Sequence, residues 1–259
     1  MRVKPVTTPA HELNIAGVNL HGIQTMAIDQ IHHRVNRERS LYTWVAVLIP
    51  TFVLIGFAPT YYLSGVFGGR RLSGWAHVHG VVMTSWIVLF IVQVRLVAAH
   101  RVRLHIRLGV FGVILTALVI VVGTITAVAA AARGSGPKPP LIFLAIPLGD
   151  ILVFALLAGI SLYFRRRPDV HKRLMLLAAL SILSSAIARF PVGVLQTPSG
   201  YFGLIDVCVI ASLAYDTIKN HKLNQAFALG ALLIIVSQPL RLMLSGTEAW
   251  MQFASWLVR

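Results

Sequence analysis

Apolar residues run along this chain in seven blocks of about twenty, separated by short clusters of arginine, lysine, glycine and proline. The blocks are residues 41–63, 75–99, 105–132, 141–164, 171–192, 201–218 and 225–245. An α-helix rises about 1.5 Å per residue, so about 20 apolar residues cross the roughly 30 Å hydrocarbon layer of a bilayer. Each block therefore predicts a membrane-spanning helix. Arg189, Asp206 and Cys208 dilute the fifth and sixth blocks. The connections carry stop signals: Gly68-Gly69-Arg70-Arg71 after the first block, Gly134 to Pro140 after the third, and Arg165-Arg166-Arg167-Pro168-Asp169 after the fourth. None has room for a soluble domain. The expected fold is an all-α, polytopic membrane protein: a seven-helix transmembrane domain over 41–246, between an N-terminal cytoplasmic or interfacial segment (1–40) and an interfacial C-terminal helix (247–259).

The flanking segments are patterned differently. Leu20, Ile23, Ala27, Ile31 and Val35 recur at helical spacing, which predicts either an amphipathic helix on the inner membrane surface or a packing arm or partly ordered tail. No continuous apolar run precedes residue 41, so no cleavable signal peptide is expected. Trp250, Met251, Phe253, Trp256 and Leu257 form an aromatic stretch too short to span, suited to the opposite interface.

Composition agrees with the pattern. Hydrophobic residues make up 57% of the 259 and charged residues 12%, against roughly 25% charged in a soluble domain; the mean hydropathy is +0.78. The formal net charge of +15 would suggest nucleic acid in a soluble chain. Here the basic residues lie in short loops facing lipid headgroups, so no nucleic-acid partner is expected. Sixteen Lys and Arg residues fall on the side of the N-terminal segment and the second–third, fourth–fifth and sixth–seventh connections; seven fall on the other side. The asymmetry predicts a multi-pass membrane protein with its N-terminus in the cytoplasm and its C-terminus outside. The single cysteine, Cys208, excludes a disulfide framework and a cysteine-based zinc or iron–sulfur centre.

Polar residues inside apolar blocks are costly and mark sites. They form two layers. The outer layer holds His77, His79, Asp150, Arg189, Asp206, Gln238 and Arg241. Its two carboxylates and two guanidiniums can neutralise one another as interhelical ion pairs, or line a ligand pocket. His77 and His79 lie about 200° apart on a regular helix, which argues against zinc. The inner layer holds His100, His105 and His171 with Arg107, Arg173 and Asp216. His105 and His171 each open a block and each precede an arginine by two residues. Two histidines on facing helices can supply both axial ligands of a haem, with Arg107 and Arg173 on its propionates. Pairs His77/His79 and His100/His105 sit at opposite ends of the second span, about 30 Å apart by rise, so they cannot share one metal centre. The last span has no lysine, which excludes a retinal Schiff base.

As a set, His77-Val-His79-Gly80, Trp86, Gln93, His105-Ile-Arg-Leu-Gly109, Pro147-Leu-Gly-Asp150, His171-Lys-Arg-Leu-Met-Leu176, Tyr215-Asp216 and Ser237-Gln-Pro-Leu-Arg241 resemble an uncharacterised family of bacterial seven-helix membrane proteins. That resemblance implies the fold and carries no mechanism. His79, Trp86 and the stretch His105 to Gly109 are also similar to the ascorbate-reducing transmembrane cytochromes b, which implies haem b. Those proteins use four histidines for two haems; the fourth span here has Asp150 and no histidine, so only an inner haem is implied. The expected function is a haem-b-binding, quinol-linked electron-transfer protein, or an accessory subunit of a respiratory complex. The alternatives are a transporter or small-molecule binding protein using the outer layer, and a structural or assembly subunit without chemistry.

Overall fold

The computed structural model describes residues 14–15, 18–19, 41–68, 72–135 and 137–259. Seven helices in it are long and apolar enough to cross a membrane: α1 (Leu41–Tyr62), α2 (Gly74–Ala98), α3 (Val102–Ala132), α4 (Pro140–Tyr163), α5 (Pro168–Ile187), α6 (Pro198–Asn220) and α7 (Gln225–Ser245). A short helix, α8 (Glu248–Leu257), follows. The protein is an all-α, seven-helix, multi-pass membrane protein. Among the first forty residues only an antiparallel pair, β1 (Asn14–Ile15) with β2 (Val18–Asn19), is described. The amphipathic helix expected around Leu20–Val35, with His32 and His33, lies outside the described residues.

Helix boundaries follow local chemistry. Ser73, Thr197, Asn224 and Thr247 cap α2, α6, α7 and α8, each accepting a hydrogen bond from a backbone N–H three residues on. Proline occupies the first turns of α4, α5 and α6, where its missing N–H costs nothing. His100 and His221 turn the chain after α2 and α6 with φ of 59° and 50°, the left-handed geometry common beyond a helix C-terminus. Short connections make successive helices antiparallel. Lys172 thus lies over the Tyr42 ring at the Leu41 end of the bundle, and His77 packs on Tyr61 at the opposite, Tyr62 end.

Helix α5 is the centre of the bundle. Two-thirds (67%) of its spanning window is buried, against 11% for α2. Its run Leu176-Leu177-Ala178-Ala179-Leu180 is buried on every side, as an all-round apolar helix must be. Gly230 lets α7 approach it: a Cβ there would stand 2.6 Å from a Leu177 methyl. The fifth span differs from the uninterrupted block expected over 171–192. It breaks at Ile182–Leu183 and ends at Ile187, and a 3₁₀ turn (Gly193–Gln196) leads to α6. Three serines flank the break, and serine hydroxyls compete with the helix for backbone groups; Ser181 Oγ donates to the Ala178 carbonyl at 2.9 Å. Helix α8 docks through Trp250, whose indole N–H donates to the Leu141 carbonyl at 2.8 Å, and through Ala254.

Candidate functional site

At the Leu41 end, α3 and α5 bring His105 and His171 together. Their ring centres are 6.3 Å apart and the rings cross at 72°. They line a cavity of about 90 Å³, between α2, α3, α4 and α5, whose other walls include Trp86, Phe90, Gln93, Gly109 and Gly112. Trp86 is held by an indole bond to Thr116 Oγ1 at 3.3 Å and stacks on Phe90 with centres 5.8 Å apart. The two glycines leave the α3 wall flat. A Cβ at Gly109 would meet only the Gln93 amide nitrogen, at 3.8 Å, and one at Gly112 a Leu89 methyl at 3.5 Å.

The polar atoms of this cavity are incompletely satisfied. His105 Nδ1 and Gln93 Oε1 are buried without a hydrogen-bond partner. Groups of this kind cost free energy unless something in the site completes them. His171 is anchored instead: its Nδ1 lies 2.9 Å from both the carbonyl and the hydroxyl of Ser161 on α4, which leaves Nε2 as its uncommitted nitrogen. The cavity therefore combines two imidazoles with ring centres 6.3 Å apart, a glycine wall and an aromatic lining, a donor set whose chemistry suits haem.

The two arginines expected beside these histidines are placed elsewhere. Arg107 is exposed on α3, and neither it nor Arg173 lines the cavity. Residues two apart on a helix point to nearly opposite sides, so a His-x-Arg pattern separates its members. Arg173 is buried against α6. Its Nε and Nη2 donate to the two carboxylate oxygens of Asp216 at 2.9 Å each, and Nη1 donates to the Asp169 carbonyl at 2.8 Å. This bidentate pair ties α5 to α6.

Toward the Tyr62 end, the charged residues divide into separate groups instead of one network. Arg241 on α7 pairs with Asp150 on α4; both are buried, and Ser184, just after the α5 break, donates to the same carboxylate. Arg241 also donates to Ser237 at 2.7 Å and lies over the Phe202 ring. Its side chain crosses Gly149, where any Cβ would collide with it. Asp206 takes a different partner, Gln238, at 2.9 Å. Depth along the sequence matched Asp206 with Arg241, but the direction around each helix matches Arg241 with Asp150. Arg189 lies beyond the end of α5, over the Phe57 ring at 4.6 Å and bonded to the Ser185 carbonyl. His79 lies within its electrostatic reach and has a buried Nδ1 without a hydrogen-bond partner. His77 is exposed beside Tyr61. Among the described residues no three His, Cys, Asp or Glu side chains are grouped to hold a metal ion.

Ser161, Ser184 and Ser237 complete these groups; Ser237 belongs to the Ser237–Arg241 motif, and the other two carry no sequence signal of their own. Their only mark is position, beside a histidine or a helix break. No family model matches the chain, and no curated protein or solved structure matches it either.

Proposed function

We propose that the chain is a haem-b-binding electron-transfer protein of the bacterial inner membrane, with one haem site at its Leu41 end. His105 and His171 would hold the haem iron, and Trp86, Phe90, Gly109 and Gly112 would surround the group. The observation that carries this reading is the 6.3 Å approach of the two imidazoles across a cavity with unsatisfied polar atoms. When bound, haem supplies one-electron chemistry. The protein's own part would be to hold both imidazoles at one cavity, keep His171 oriented through Ser161, and exclude water with the aromatic wall. Arg107 and Arg173 have no assigned role at the cofactor: the first is exposed and the second is committed to Asp216.

The basic asymmetry of the loops supports a cytoplasmic N-terminus and an outside C-terminus, which puts this site near the cytoplasmic leaflet. A quinol in the bilayer, or another subunit of a respiratory complex, is the electron-exchange partner in this reading. The pairing of Asp150 with Arg241 and of Asp206 with Gln238 supports a structural role for the other layer, in place of a transport pocket.

The test is the absorbance spectrum of the purified full-length protein, oxidised and after dithionite, followed by hemin titration of any colourless fraction. A Soret band with sharp low-spin bands on reduction is expected. A folded protein that is colourless and takes up no hemin overturns the proposal.

A further inference from the structure

Ser161 is fully buried in the last turn of α4. Helix ends leave carbonyls without intrahelical partners, and the Ser161 carbonyl is one of them: the Phe164 N–H goes to Ile160 and the Arg165 N–H goes to Leu162. The His171 side chain fills that place, with Nδ1 at 2.9 Å from the carbonyl oxygen. Ser161 Oγ donates to the His171 carbonyl at 2.9 Å and lies 2.9 Å from the same Nδ1. Proton accounting favours one direction for these bonds. A carbonyl has no proton, so at this distance Nδ1 must carry one, or two lone pairs would face each other. The single hydroxyl proton of Ser161 is used on the His171 carbonyl, so toward Nδ1 the hydroxyl also accepts.

We propose that Ser161 is the positioning residue that locks His171 in its Nδ1–H tautomer, so that the cavity receives an unprotonated Nε2. This deepens the haem reading and rests on it for the identity of the ligand. It also defines what the cavity accepts. Nε2 of His171 and the unpartnered Oε1 of Gln93 both offer electron pairs. The occupant must therefore bring a Lewis-acidic centre or an N–H or O–H donor, and a ligand headed by a carboxylate or phosphate is disfavoured.

The test uses the full-length protein in nanodiscs, without haem, with ¹⁵N-labelled histidine. Spectra are recorded over a pH series to the plateau of the neutral imidazole, and the His171 signal is assigned by its loss in His171→Gln. A protonated Nδ1 and a bare Nε2 are expected; a proton on Nε2 overturns the proposal. Hemin titration provides a second readout. Ser161→Ala keeps the carbonyl and removes the hydroxyl, and should weaken hemin uptake about tenfold, as loss of an orienting partner does at other metal sites, with Ser161→Thr recovering most of it. An unchanged titration in a folded Ser161→Ala protein also overturns the proposal. If Ser161→Ala does not fold, the wild-type spectrum decides alone. A wild-type protein with the Nδ1–H tautomer that takes up no hemin supports the lock and removes the haem reading, so the two fail separately.

Discussion

At the scale of single residues, buried polar groups here are stable only in pairs. Asp150 and Arg241 are each less than a tenth exposed and face one another across α4 and α7. Removing one partner leaves the other charge in a medium that cannot solvate it. Arg241→Ala should therefore cost about 3–5 kcal/mol, measured as a lowered unfolding midpoint in detergent. The neutral double variant Asp150→Asn with Arg241→Gln should recover more than half of that, because no charge is left unpaired. A single variant as stable as wild type would contradict this account of the pair. Asp150, Arg241, His105 and His171 were legible in the sequence because charge and imidazole stand out in apolar blocks. Their partners were not. Counting 1.5 Å per residue gives depth but not direction around the helix, so Asp206 matched Arg241 in depth while Asp150 is the residue that reaches it. Ser161 was invisible because its part depends on an orphan carbonyl that exists only where α4 ends.

At the scale of elements, close helix approach depends on small residues. Gly230 on α7 sits against Leu177, Leu174 and Leu157, with a Cβ position 2.6–3.2 Å from their methyl groups. Gly230→Ala forces those side chains aside and should destabilise the bundle by about 1–3 kcal/mol. Gly203 on α6 has open space at the same position. There Gly→Ala should be neutral, or gain up to about 1 kcal/mol from helix propensity. The unfolding midpoints of the two variants should move apart; equal shifts would contradict the packing described for α7. Six of the seven spans follow the apolar blocks to within about three residues at either end. The exception is α5, whose break at Ile182–Leu183 the hydrophobic pattern cannot register, since isoleucine and leucine read as helix continuing. The information lies in Ser181 and Ser184 on either side, whose hydroxyls act on the Ala178 carbonyl and on Asp150.

At the scale of the whole molecule, the seven crossings were legible because lipid leaves a chain few options: every backbone group must be satisfied within its own helix. Orientation rests on the basic loops, sixteen against seven residues. A reporter fused after Arg259 should be active on the periplasmic side, and activity only in the cytoplasm would contradict that assignment. The site was less legible than the fold, because a histidine at a helix start has many uses and only the tertiary fold sets two of them 6.3 Å apart. The most direct test of the central claim is electron paramagnetic resonance of the oxidised, hemin-loaded protein and of His105→Ala, His171→Ala and Arg107→Ala. Both axial ligands being histidine predicts a low-spin ferric signal in the wild type and in Arg107→Ala, converted to high spin or lost in each histidine variant. An unchanged low-spin signal in either histidine variant would contradict the assignment of that residue and, with it, the shared site.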